Sequence, residues 1–243
     1  MLAVRDVKLR YKQTALGVVW VVLQPLLAGA IFAVVFGHFA RLPSGGRPYL
    51  VFVFAGLVGW NLFAGVLQRA GNSLVTEARL ITKVYFPRML IPCAGGLAAL
   101  VDFAVSLGCM AGLLAWFGVW PGSALLMLPV VTALTLALAI GVSLWVSALA
   151  VRYRDFMYAL PFLLQVWMYA SPVVYGMEMI PGRWRGWFAL NPMTGLLEGF
   201  RGALLGGAWA WPWLGISTVM AAAALLSGAL FFRRVESDFA DQL

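Results

Sequence analysis

The chain has 243 residues, 63% of them hydrophobic and 11% charged, with a mean hydropathy of +0.92; soluble domains carry roughly 25% charged residues, so this is the composition of an integral membrane protein. Seventeen Lys and Arg against nine Asp and Glu give a net charge of +8. The basic residues fall in the gaps between apolar runs instead of forming one stripe on a polar fold, which argues against nucleic-acid binding and makes their placement a report of topology.

The first element expected is an amphipathic helix over about 2–13. Val4, Val7 and Tyr11 make one stripe and Arg5, Asp6, Lys8 and Lys12 lie off it, so the segment suits the membrane interface. A crossing helix needs about 20 mostly apolar residues, and six stretches qualify: about 15–39, 50–69, 90–118, 123–150, 156–176 and 212–232. The first is too long for the apolar core of a signal peptide and stays as a span.

Between the second and third spans, Leu74, Ala78, Ile81 and Tyr85 recur at helical spacing, with Glu77, Arg79 and Lys83 off the stripe. This predicts a helix over about 74–86 that Pro87 stops, while Pro92 fits the first turn of the next span. Such a helix can rest on anionic headgroups or dock against a protein, and spacing does not separate the two. The stretch 177–211 holds Trp184, Trp187 and Phe188, which suit a membrane interface, and Asn191-Pro192, which divides two pieces over about 184–206, each too short to cross. Two half-helices that dip in and return are the expected form; two helices lying flat on the surface are the alternative.

With the N-terminus inside, the cytoplasmic gaps collect twelve basic residues, among them Arg69, Arg79, Lys83, Arg88, Arg152, Arg154, Arg233 and Arg234. The other side collects five: Arg41, Arg47, Arg183, Arg185 and Arg201. Both termini are therefore expected in the cytoplasm.

Little in the chain suggests catalysis. Its three lysines, Lys8, Lys12 and Lys83, follow Val7, Tyr11 and Thr82, so no phosphate-binding Gly-Lys-Ser/Thr loop is present. His38 has no evident acidic neighbour and is read as structural, and Cys93 and Cys109 lack metal-ligand spacing; no metal site is expected. Asp102 is the one acid deep in an apolar run, where a charge is costly and usually meaningful. It is expected to pair with an arginine or a backbone donor, and proton coupling is the rival reading. Trp60, Phe63, Trp167 and Tyr169, with Tyr175 nearer the outer end, sit where they can pack between helices or wall a path for sugars, whose apolar ring faces stack on aromatic rings.

In order, "RDVKLRYKQTALGVVWVVLQPLL" at 5–27, "LITKVYFPRMLIP" at 80–92, "YRDFMYALPFLLQVWMYASPVVY" at 153–175, "LNPMTGLLEGFRGALLG" at 190–206 and "FFRRVESDFAD" at 231–241 resemble the membrane subunit of polysaccharide exporters of the ABC-2 type. The resemblance covers essentially the whole chain. It implies an all-α integral membrane protein of one domain, 1–243, with six transmembrane helices, an N-terminal interface helix, a cytoplasmic coupling helix and short external re-entrant helices before the last span. It also implies a homodimer in the cytoplasmic membrane, paired with two copies of a separate ATPase that binds ATP and Mg, with no cofactor in this chain. The cargo it implies is a lipid-linked polysaccharide, with the O-antigen type favoured over teichoic acid and capsule. By the same resemblance Glu77, Arg79, Lys83, Tyr85 and Arg88 form the coupling helix, Arg152, Arg154 and Asp155 a second contact with the ATPase, and Arg5, Lys8, Arg10, Tyr11 and Lys12 a gate helix. Trp60, Phe63, Trp167, Tyr169 and Tyr175 would line the channel, and the helices around Asn191 and Pro192 would gate it outside. A small-lipid or drug exporter of the same type, a proton-coupled transporter using Asp102 and an enzyme of glycolipid assembly are the rival readings.

Overall fold

The computed structural model describes residues 17–77, 88–153, 155–207 and 209–236, and among these every regular element is helical. Eight α-helices follow in order: α1 Gly17–Phe32, α2 Tyr49–Thr76, α3 Leu90–Phe117, α4 Leu128–Arg152, α5 Asp155–Tyr169, α6 Gly182–Ala189, α7 Pro192–Leu205 and α8 Trp211–Val235. A π-helical stretch, Ala33–Phe39, continues α1, and a 3-10 turn, Gly122–Met127, leads into α4. Among the described residues five helical stretches are long and apolar enough to cross a bilayer: Val22–Phe39, Tyr49–Thr76, Leu90–Phe117, Gly122–Arg152 and Trp211–Val235. The fold is that of an all-α integral membrane protein.

The stretch expected to span at 156–176 is helical over most of its length. Helix α5 has 15 residues, about 22 Å of rise against a hydrocarbon core of about 30 Å. Proline restricts the residue before it to extended conformations, and Pro172 follows three residues after Tyr169, so the chain leaves the helix there and continues through turns. The helix of the second span continues past residue 69. Between Arg69 and Thr76 no Pro or second breaker interrupts the helix, and α2 runs unbroken to Thr76 with Glu77 as its C-cap. The helix expected over 74–86 therefore begins inside α2, and residues 78–87, with Arg79, Lys83 and Tyr85, lie outside the described residues. So do the expected interface helix, with Arg5, Lys8, Arg10, Tyr11 and Lys12, and Arg154.

Helix α2 is the axis of the fold. Nearly three quarters of its most apolar stretch is buried, and α1, α3, α4, α5 and α7 all pack against it. Phe54, Leu62, Phe63, Val66 and Leu67 of α2 meet Met110 of α3, Leu138 of α4 and Phe200 of α7 in one core cluster. Helices α4 and α8 cross backbone to backbone, because a Cβ on Gly228 would stand 2.3 Å from the Gly141 carbonyl oxygen. The ends of α2, α3, α4 and α8 are sealed together by Leu74, Ile91, Leu144, Val151 and Phe232. Hydroxyls inside the bundle turn back on their own helices, as Thr135 does to the Val131 carbonyl and Ser143 to that of Ala139, which keeps them satisfied without an outside partner. By contrast α1 and α5 leave broad apolar faces open, with Trp20 and Ile31 on one and Tyr158 and Phe162 on the other.

Candidate functional site

At the end of the bundle where α5 stops, seven residues of non-helical backbone, 170–176, run in the protein interior. Ser171, Val173 and Val174 are buried, and backbone at such depth must find donors within the protein. Three side chains supply them. Asn191 donates from Nδ2 to the Ala170 carbonyl and to Ser171 Oγ, while its Oδ1 accepts from Trp167 Nε1 and from the Met193 amide. It therefore caps α7 in the manner that favours Asn at this position and ties that helix to the last turn of α5. Tyr49 donates its hydroxyl to the Val174 carbonyl. Arg201 donates from Nη2 to the Val173 carbonyl at 2.6 Å and from Nη1 to the Tyr175 carbonyl at 3.3 Å, and Nη1 also meets Glu198 Oε1 at 2.9 Å. Its guanidinium lies 4.1 Å from the centre of the Phe52 ring.

Of the two pieces expected over 184–206, almost every residue of α7 is buried, and the helix packs between α2, α4 and α8. Its Gly206, in the left-handed region at φ 63°, closes the helix beneath Pro121 and accepts a hydrogen bond from Arg47. Helix α6 differs, since Trp184 and Trp187 on it are exposed. Composition placed Arg201 among loop cations; it is 4% exposed. Only its spacing of three from Glu198 hinted at this, since such pairs face one another on a helix.

The expected channel aromatics divide. Phe63 is fully buried and meets Trp167 edge-on at 5.0 Å; Trp60, 5.6 Å from Phe63, is nearly buried. Tyr175 donates to the Tyr169 carbonyl, whose ring is exposed. Trp167 thus serves the joint as a donor as well as a packing group. Asn191→Leu is expected to cost about 1–2 kcal/mol of stability, the usual range for a lost cap. Trp167→Phe should cost about 1 kcal/mol, since Asn191 Oδ1 keeps the Met193 amide. Thermal unfolding of the purified variants in detergent checks the order; equal stability of all three chains would remove Asn191 as the joint.

A second feature lies farther along α2. Asp102 of α3 pairs with Arg69 of α2; Arg69, counted with the inner gap at the end of the second span, lies inside the helix. Beside this pair is a cleft of about 460 Å³ between α1, α2, α3 and α5, lined by Gln24, Trp60, Asn61, Gln68, Asp102 and Gln165 among others. The four amides come from three helices, and among the described residues none of them has a hydrogen-bonding partner. Their signal in the sequence was faint, a pair of amides seven apart in an apolar run.

At the opposite end of the bundle from α7, Glu77 caps α2, Arg152 closes α4 and Asp155 opens α5. Arg88 donates to the Glu236 carbonyl at the last turn of α8, where a cation is favoured by the helix dipole. Glu77, Arg88, Arg152 and Asp155 therefore share one end of the molecule.

Comparison with known proteins gives a consistent set. The family described as "ABC-2 type transporter" matches residues 1–205. The chain is 29% identical over 199 residues to the O-antigen export system permease protein RfbA of Myxococcus xanthus, covering 81% of this chain and 76% of that one. It is 24% identical over 240 residues to the protein of the same name from Klebsiella pneumoniae, covering 98% and 92%. The polysialic acid transport protein KpsM of Escherichia coli is 22% identical over 209 residues, covering 85% and 80%.

Proposed function

Because the chain belongs to the ABC-2 type transporter membrane family, we propose that it is the permease subunit of an exporter that moves a lipid-linked polysaccharide of the O-antigen type, driven by a separate ATPase. The observation that carries this reading is alignment of nearly the whole chain, 240 residues, with a permease named for O-antigen export. Subunits of this kind leave ATP hydrolysis to their partner, in keeping with the absence of a phosphate-binding loop from the sequence. ATP and Mg belong to that partner.

The working unit is two copies of this chain with two ATPase subunits, in the cytoplasmic membrane with both chain termini inside. The open apolar faces of α1 and α5 are the surfaces on which a second copy would sit, and the excess of Lys and Arg in alternate gaps sets the orientation. Glu77, Arg88, Arg152 and Asp155 then lie at the cytoplasmic end. Together with Arg79, Lys83, Tyr85 and Arg154 they receive the ATPase, and Arg5 to Lys12 lie along the same interface. The joint of Asn191, Pro192 and Arg201 lies at the outer end, where polymer leaves. Pairing of Asp102 with Arg69 favours this scheme over proton coupling, since a structural ion pair between two helices accounts for an acid inside the bundle.

Deletion of the gene is the test. Surface polysaccharide should vanish while the polymer accumulates inside, the wild-type gene should restore it, and a hydrolysis-blocked ATPase should not. Purification of this chain should bring down one ATPase, and Lys83→Glu should lose it. Unchanged surface polysaccharide in the deletion strain would overturn the polymer reading and leave a small-lipid or drug exporter.

A further inference from the structure

Along α2, from Val51 to Val75, the two residues classed as exposed are Asn61 and Gln68. Every other residue of that stretch is buried or half-buried, and α2 is the most enclosed of the long apolar helices described. A position that opens out of a membrane bundle toward lipid should be apolar, because an unsatisfied amide in hydrocarbon costs several kcal/mol. Both openings are amides, seven residues and so about 10 Å apart along one helix face. Gln24 of α1 and Gln165 of α5 line the same cleft as these two.

We propose that this cleft is a binding site for a short stretch of the saccharide chain, with Asn61, Gln68, Gln24 and Gln165 as its hydrogen-bonding groups and Trp60 at its wall. The inference rests on the polysaccharide reading above and deepens it by naming the residues that hold the sugar. Each amide offers two donors and a carbonyl acceptor, and sugar hydroxyls are donors and acceptors in the same mixture. Trp60, nearly buried, closes the wall of the cleft behind these amides. The volume, about 460 Å³, falls in the range of small-ligand pockets.

Other ligands fit less well. A diphosphate would need cationic partners, but Arg69 beside the cleft is engaged by Asp102. A transported metal ion would be held by a free carboxylate among the amides, but the carboxylate lining the cleft, Asp102, faces the Arg69 guanidinium. A lipid tail would leave all four amides unsatisfied. The cleft opens between α1 and α5, whose faces would receive a second copy, so amides that served only to glue the two copies together are told apart by the dimer readout below.

The test uses the full chain with its ATPase in membranes that are making polymer. In a background with Cys93 and Cys109 replaced by alanine, Gln68→Cys and Gln165→Cys are each coupled to a thiol-reactive benzophenone and irradiated with ATP hydrolysis blocked. Gly108→Cys, on an open face of α3 with nothing within 4 Å, is the control. Polymer should be attached at positions 68 and 165 and absent at 108. The paired variant Gln68→Leu with Gln165→Leu should lower export at least tenfold while chain level, dimer and bound ATPase stay as in the wild type. Capture of lipid without sugar, loss of the dimer in the paired variant, or full export by it would each overturn the site. The deletion experiment is scored separately, so an exporter of another cargo and an exporter whose sugar path lies elsewhere give different results.

Discussion

Arg201→Leu is expected to abolish export and to destabilise the chain by about 3–5 kcal/mol, the range found when one member of a buried ion pair is removed. The guanidinium is almost wholly buried and divides its donors between the carbonyls of Val173 and Tyr175 and the Glu198 carboxylate. Leucine fills similar space and donates nothing. Two carbonyls of non-helical backbone would be left unsatisfied, and Glu198, only 20% exposed, would keep a charge without its counter-ion. Gly56 shows how closely the groups fit: a Cβ there would stand 2.7 Å from the Val173 oxygen and 3.1 Å from Arg201 Nη2. Arg201→Lys should rescue only partly, because one ammonium cannot span three acceptors held in a fork. Glu198→Gln should cost about 1 kcal/mol, since an amide oxygen still accepts. Thermal unfolding in detergent and surface polysaccharide are the two readouts; a wild-type melting point for Arg201→Leu would show that the joint at 170–176 holds without it.

Gly195→Val should be nearly as damaging, through overpacking. A Cβ on Gly195 would lie 2.2 Å from the Trp213 carbonyl oxygen and 2.6 Å from Ser217 Oγ, which accepts a hydrogen bond from the Gly195 amide. The nearest obstruction is backbone of α8, which cannot rotate away as a side chain can. Overpacking of a close-packed core typically costs about 1–3 kcal/mol, and here the alternative to strain is withdrawal of α7 from the bundle. Loss of folded chain from the membrane is the expected result. Gly108→Ala and Gly112→Ala are the controls, as neither Cβ would meet anything within 4 Å; alanine favours a helix over glycine by about 0.5–1 kcal/mol, so neither should lose stability. If Gly195→Val accumulated and exported as well as these controls, α7 would not be locked against α8.

These two sites show where reading the sequence stops. In a soluble protein the buried face of a helix announces itself by hydrophobic period. In a bilayer both faces are apolar, so the period fades and no pattern separates the enclosed face of α2 from the open faces of α1 and α5. Arg201 looked like one more basic residue in an outer gap, and Arg69 like one in an inner gap, because charge counting places a cation by its neighbours along the chain. What holds each in the bundle, the carbonyls of Val173 and Tyr175 for one and Asp102 for the other, is a matter of which segments touch. The 156–176 stretch is apolar enough to span, yet Pro172 and the hydrogen bonds of Asn191 stop its helix at Tyr169.

By itself the sequence determined that this is a multi-spanning, all-helical membrane protein without a nucleotide loop, and its ordered blocks pointed to the family. Those properties reside in composition, run length and local motifs, each satisfied within a few consecutive residues. Tertiary structure alone decided that Asn61, Gln68, Gln24 and Gln165 share a cleft, that α7 is inserted in the bundle, and that Arg201 holds the chain where α5 ends. Each of these joins residues from separate helices, and their convergence is set by the close approach of backbones at glycine and by the need to satisfy every polar group that leaves water.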